Sequence, residues 1–335
     1  MKSLAIIFIL LIFLFSCKTP TEKKPSVPVV GFLDLLQDET LAKAKQGFFD
    51  ALAKGGFSEK DSTLKVIYRN AQGDQPTLIQ ACDYLISKKV DLIATNPTLS
   101  TITAVQKTKD IPIFMMVSPS PANAKLNDKN GKAPKNLFGV YETLDYIDTS
   151  VSLIKYVFPK AKKVGTIYNQ AEPQSVDAYN EIKKQCDRSG LQLEFLPVNN
   201  SSETQLAVQS LINKGIDAFF ALPDNTVFAS FETIAKTCDE KKIPVFTSEA
   251  GLVGRGALVS FGADMYQWGY QAGEQAAQFL KTKSLAGLKP EQVKERTMMI
   301  NRERLSRMGM SIESFKKLFP PGYLKADTIP SPIKK

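Results

Sequence analysis

The chain contains no histidine in 335 residues. That removes the imidazole on which Ser-His-Asp and Cys-His nucleophilic catalysis depend, and with it the usual zinc sites. Cysteine is scarce as well: Cys17, Cys82, Cys186 and Cys238 are far apart, with no CxxC or metal-type spacing. No disulfide framework can be read from them, and the last three read as small buried hydrophobes in three predicted helices. Beyond the first apolar run, none is long enough to span a bilayer, which takes roughly 20 residues. What is present is ordinary for a soluble globular protein, 43% hydrophobic and 23% charged, and the length suggests two domains. The formal charge of +9 is dispersed over short pairs such as Lys88-Lys89 and Lys241-Lys242. Such pairs read as solvated helix ends and turns, not as a nucleic-acid surface.

The first apolar run, Leu4 to Phe15, follows Lys2 and stops at Leu14-Phe15-Ser16-Cys17. A basic start and about a dozen apolar residues fit an export signal. Leu at −3, small Ser at −1 and Cys at +1 match a bacterial lipobox, with Phe15 bulkier than usual at −2. The expectation is therefore a signal peptide over residues 1–16, a diacylated Cys17, and a flexible leash over residues 17–28 rich in Lys, Thr and Pro. The alternative is a plain signal peptide with a chance Cys.

From Val27 onward, short β-branched runs alternate with helical patterns, as in a parallel α/β protein. The series then repeats. Val30-Gly31 and Val164-Gly165 each begin a strand and are followed 25 residues later by a helix-stopping glycine, Gly56 and Gly190. The stretch Asp91 to Pro97 answers Asp217 to Pro223, and Ile111-Pro112-Ile113-Phe114 answers Ile243-Pro244-Val245-Phe246. Three matches in the same order predict two similar, doubly wound (Rossmann-like) α/β lobes with parallel central sheets.

Two such lobes side by side place the loops after their strands across a cleft, where ligands bind. The candidates from the first series are Gln37, Asp38, Asn96, Thr98, Ser118 and Ser120. Those from the second are Tyr141, Glu142, Tyr168, Asn169, Asp224, Asn225, Thr226 and Glu249, and Asp264 follows a late strand. They supply carboxylates, amides and hydroxyls without a nucleophile and base. Asn96, Thr98, Asp224 and Asn225 also stand where helix N-caps belong. Gly254-Arg255-Gly256 precedes a strand instead of opening a helix, so it reads as a turn and not a phosphate cradle.

Tyr68 to Gln75 (Tyr-Arg-Asn-Ala-Gln-Gly-Asp-Gln), Ile167-Tyr168-Asn169, Pro223-Asp224-Asn225-Thr226 and Phe261-Gly262-Ala263-Asp264, with the two Ile-Pro strand starts, resemble a known family. It is that of the bacterial ABC transporter substrate-binding lipoproteins of the tryptophan or tyrosine type, and the resemblance runs from about Val29 to about Met308. It implies the type I periplasmic binding-protein fold with a multi-segment hinge, a permease and ATPase as partners, and no cofactor, metal or enzymatic activity. On that topology lobe 1 comprises residues 29–138 and 252–281, lobe 2 residues 139–251 and 282–320, and residues 321–335 a C-terminal tail. Asp38-Glu39 stands where the family has a His-Pro-like pair, and Ala42 where Asp is frequent.

The expected ligand is a small solute, a zwitterionic amino acid with aromatic ones among the candidates, captured by a monomer. Its carboxylate would meet helix N-terminal amides and hydroxyls at Thr98, Ser100 or Ser118 to Ser120. Its ammonium would meet Asp224, with Glu142, Glu249 or Asp264 as second candidates. Tyr141, Tyr168 and Tyr266 would stack on its side chain. A nucleoside-binding or sensory lipoprotein of the same fold and a surface interaction protein are the alternatives.

Overall fold

The computed structural model describes residues 27–319 and 326–329. The expected signal peptide, Cys17 and most of the leash lie outside these residues. The first series forms β1 (Val29–Asp34), α1 (Glu39–Lys54), β2 (Lys65–Asn70), α2 (Gln75–Ser87), β3 (Leu92–Asn96), α3 (Thr98–Lys107), β4 (Ile113–Met115) and β5 (Leu137–Tyr141). The second forms α4 (Asp145–Val157), β6 (Lys163–Asn169), α5 (Pro173–Arg188), β7 (Gln192–Val198), α6 (Thr204–Asn213), β8 (Ala218–Ala221), α7 (Asn225–Ala229), α8 (Phe231–Glu240), β9 (Val245–Thr247), α9 (Ala250–Gly254) and β10 (Val259–Ala263). Then follow α10 (Met265–Thr282), β11 (Glu291–Gln292), β12 (Arg296–Asn301), α11 (Arg302–Arg307), α12 (Ile312–Lys316) and β13 (Ala326–Ile329).

Two sheets result, ordered β11-β5-β4-β3-β1-β2 and β13-β12-β10-β9-β8-β6-β7. All pairings are parallel except β10 with β12. Central strands buried on both faces need continuous apolar runs, and β3 and β8 are buried at every position. Helix α1 shows how the sequence sets an element. Asp38 caps it by accepting from the Thr40 and Leu41 amides. Its buried stripe is Leu41, Ala44, Phe48, Ala51 and Leu52, and Gly56 (φ 95°) follows its end in a conformation that favours glycine. The stripe packs on α10, and there the backbones touch: a Cβ at Gly269 would overlap the Ala44 carbonyl, and one at Gly47 the Tyr266 carbonyl.

The lobe boundaries differ from those expected. Strand β5 belongs wholly to the first sheet, pairing Leu137 with Ile113, so lobe 1 runs past residue 138. Strand β10 was expected to complete lobe 1; instead it pairs with β9, Val259 against Phe246. The five-residue α9 returns the chain beside the strand it has just left, and α10 is the first element to cross back, packing against α1 and β5. The crossings fall at 142–144, Asp264 and 293–295. Within the expected tail, β13 pairs in parallel with β12.

Candidate functional site

The strand ends and helix starts of the two lobes face each other around about 460 Å³ of empty space, open solvent at its mouth included. Lobe 1 contributes Pro97 and Thr98 at the start of α3, Val117 to Pro119 after β4, and Trp268 from α10. Lobe 2 contributes Tyr146, Gln174, Pro223, Asn225, Phe228 and Glu249, and Glu142 lies in the first crossing. Helix α3 has no side-chain N-cap, so its first-turn amides are available at the cleft. Val117 sits at φ 48°, a left-handed conformation unusual for a β-branched residue, of the kind that gathers at binding sites and costs about 1–3 kcal/mol. The next residue, Ser118, accepts from the Glu142 amide through its carbonyl, which ties the β4 loop to the crossing.

Two buried carboxylates lie in this wall in opposite electrostatic states. Glu142 is clasped by Arg296, Nε to Oε2 at 2.8 Å and Nη2 to Oε1 at 2.6 Å, so its charge is already matched. Glu249, 2% exposed, receives only neutral donors, the Ser248 hydroxyl at 3.1 Å and the Tyr146 hydroxyl at 3.4 Å. No ion pair among the described residues includes it. Burial, with the nearby Glu142 charge adding to it, pushes its carboxyl up to about 7. A third acid, Glu172, lies behind the wall. Burial and the Asp224 carboxylate raise it to about 8, against donors from Asn225 and Thr226. It accepts from the Asn225 amide at 3.1 Å, from Asn225 Nδ2 at 2.7 Å and from Gln174 Nε2. Two buried polar atoms of the wall have no partner: Ser118 Oγ and Gln174 Oε1.

Of the residues expected from the sequence, Thr98, Ser118, Glu142, Asn225 and Glu249 come together here. Gln37, Asn169 and Thr226 border a wider adjoining space that shares Asn225. Asp224, expected to meet a ligand ammonium, does not line the cavity. Its carboxylate caps α7 through the Val227 amide and also takes the Asn169 amide at 2.7 Å and the Ser175 hydroxyl. Asp264 caps α10, and Ser120 accepts from the Asn123 amide. Asn96 donates to Asp34 and to the Leu41 carbonyl, while Asp38 pairs with Arg255. Tyr168 stacks on Tyr179 at 4.5 Å within lobe 2, Tyr266 donates to Asp50, and Tyr141 is outside the cavity lining. The aromatic wall is made instead by Trp268, Phe228 and Tyr146. These and Gln174 escaped the sequence reading, although Trp268 is the chain's one tryptophan; Glu172 lies in the loop after β6 that the sequence already offered to the cleft.

A cavity with uncapped amides and a hydroxyl on one lobe, an unmatched acid on the other and aromatic rings between can hold a zwitterion with an apolar side chain. Comparison with known proteins points the same way. Residues 29–315 match the family of ABC transporter substrate binding proteins. The chain is 33% identical over 310 residues to a tyrosine-binding protein of Clostridioides difficile, covering 92% of this chain and 87% of the relative. Among solved structures it is similar to an ABC domain from Streptococcus pneumoniae in complex with L-Trp, with 25% identity and a TM-score of 0.79, covering 87% of this chain and 98% of that one. It is also similar to a ligand-free, open substrate-binding protein with adhesive properties from Clostridium difficile, with 28% identity and a TM-score of 0.65, covering 91% and 100%. The chain therefore belongs to the ABC transporter substrate-binding protein family, solute-binding proteins without enzymatic activity that carry the type I periplasmic binding-protein fold.

Proposed function

We propose that the protein captures a free aromatic amino acid in the cleft by hinge closure and delivers it to a membrane permease driven by an ATPase, working as a monomer outside the cell membrane and tethered by a lipid on Cys17. The observation that carries this reading is the pairing of opposite chemistries across the cavity. The ligand carboxylate meets the first-turn amides of α3 and the unpartnered Ser118 hydroxyl. The ammonium meets Glu249, the wall's unmatched acid, and the ring lies among Trp268, Phe228 and Tyr146. The names of the relatives, one binding tyrosine and one bound to L-Trp, support the ligand class. A ligand that touches both lobes favours the closed state by its differential affinity, and the closed state is what a permease can read.

A thermal-shift screen of the protein against amino acids, nucleosides and sugars tests the ligand class. L-Trp or L-Tyr at 100 times its dissociation constant should add about 2.7 kcal/mol of stability. Stabilisation by a nucleoside or sugar, with none by any amino acid, would refute the reading. The tether is tested separately in cells. A Cys17→Ser variant should move from the membrane fraction to the soluble fraction, and unchanged membrane retention would count against the lipid anchor.

A further inference from the structure

The cavity wall contains a hydrogen-bond acceptor that the charged head of an amino acid does not account for. Gln174 is the second residue of α5 and 8% exposed. Its Nε2 donates to Glu172, while its Oε1 is buried at the cavity without a partner. The orientation is imposed. Glu172 stands at the N-cap of α5 but makes no side-chain capping bond there; its carboxylate turns to the Asn225 amide, Asn225 Nδ2 and Gln174. While Glu172 is ionised, a turned Gln174 amide would set its carbonyl against the carboxylate, oxygen against oxygen. The carbonyl is thereby held towards the ligand.

Its place in the wall says which part of a ligand it meets. Glu249, which takes the ammonium, is grouped with Tyr146, Ser248 and Glu142 beside the hinge. Gln174 is grouped with Glu172 and Asn225, where the cavity meets the wider adjoining space. The two acceptors thus belong to separate hydrogen-bond clusters of the wall, Gln174 to the one that adjoins the wider space. Resting on the amino-acid reading above, we propose that Gln174, positioned by Glu172, accepts a hydrogen bond from an N–H or O–H on the ligand ring, so that the cleft takes indolyl and phenolic amino acids in preference to phenyl or aliphatic ones. A buried acceptor left without its donor penalises the wrong ligand more than a missing apolar contact does.

Protonation of Glu172 gives the proposal a readout that a purely structural role lacks. Its partners from α5 and α7, Gln174, Asn225 and Thr226, and Asn169 from β6, are neutral, and the titratable group that faces it is Asp224, whose own carboxyl is also raised by burial. A proton on Glu172 needs an acceptor, and a turned Gln174 carbonyl supplies one, leaving NH2 donors in the cavity. Burial raises Glu172 to about 8, so the preference for ring donors should be largest above that pH and decline below it.

The test is calorimetric titration of the full-length protein with L-Trp and with 3-benzothienyl-L-alanine, in which sulfur replaces the indole N–H, at pH 6.5 and 9. The two ligands share an α-amino group, so its titration cancels in their ratio. L-Trp should be preferred by about tenfold at pH 9 and less at pH 6.5. Gln174→Leu should bring the two within about threefold at both pH values, and Glu172→Gln should make the preference independent of pH. Where L-Tyr is the tighter ligand, L-Phe takes the place of the analogue. Equal binding of both ligands by the unaltered protein at pH 9, or a preference that survives Gln174→Leu, overturns the proposal, and the first of these stands even if the variants misfold. Absence of binding by every aromatic amino acid would instead overturn the amino-acid reading on which it rests.

Discussion

An Arg255→Met variant is expected to bind its ligand up to about a hundredfold more weakly, although Arg255 does not line the cavity. Arg255 follows α9 in lobe 2, where it is held by Glu232 at 2.7 and 2.9 Å and by the Phe228 carbonyl at 2.6 Å. From there Nη1 reaches across to lobe 1, to Asp38 Oδ2 at 2.6 Å and Thr40 Oγ1 at 3.1 Å. The two side chains are 10% and 2% exposed, so the pair exists as a buried pair only while the lobes are together. When they part, both charges return to water. Removing Arg255 therefore burdens the closed state alone, leaving a buried carboxylate without its cation. Breaking a buried pair costs about 3–5 kcal/mol. Asp38 keeps the Thr40 and Leu41 amides and the start of α1, which argues for the lower end. About 3 kcal/mol is two decades in the closed-to-open ratio, and apparent affinity falls with the closed fraction by up to that factor. Arg255→Lys should recover part of the loss, because a single ammonium cannot serve both lobes as a guanidinium fork does. Calorimetry gives the affinity, and small-angle scattering of the ligand-free variant should show a larger radius of gyration. Unchanged affinity and unchanged scattering would mean that the pair does not govern closure.

That pair also marks the limit of what the sequence discloses. The turn at Gly254-Arg255-Gly256 is legible from its glycines, but the partner lies 217 residues away, and no local pattern connects them. The two α/β lobes were legible because β3, β8 and their repeated Ile-Pro neighbours carry continuous apolar runs that only a sheet covered on both faces explains. The sheet joined by β10 was not, since the same short strand can extend either sheet and the brevity of α9 decides between them. Within the site, Asp224 shows the same ambiguity at the level of one side chain. Capping and ligand binding recruit the same residue types, and only the positions of Ser175 and Asn169 reveal that its oxygens are already occupied. Asp38, expected to touch ligand, touches the other lobe instead. Glu142 and Glu249 were both legible as candidates. Their difference was not, because Arg296, 154 residues from Glu142, neutralises one and not the other.

The unmatched charge at Glu249 predicts that one substitution will stabilise the empty protein and disable it. The free carboxyl value is 4.5, and burial raises it to about 7 in the folded chain. Below 4.5 the group is protonated in both the folded and the unfolded state, and its contribution to stability is fully present. As pH rises through 7 the folded state must also ionise it, without a cation, and that contribution is lost. At 1.36 kcal/mol per unit the loss is about 3 kcal/mol between pH 5 and 8. Asp34, raised to about 7 by its own burial, acts in the same direction. Glu249→Gln removes the ionisation, keeps the shape and still accepts from Tyr146 and Ser248, so the melting temperature of the ligand-free variant at pH 8 should exceed that of the unaltered protein. The ligand supplies the missing cation. Its affinity for the unaltered protein should therefore rise about tenfold per unit as pH increases towards 7 and level off above it, while the variant binds about a hundredfold more weakly at pH 8. Melting curves and calorimetric titrations between pH 5 and 8 measure both effects on the same samples. A variant that binds normally, or an affinity indifferent to pH across this range, would remove Glu249 from the ammonium site and leave Glu142, already matched by Arg296, as the acid that remains in the wall.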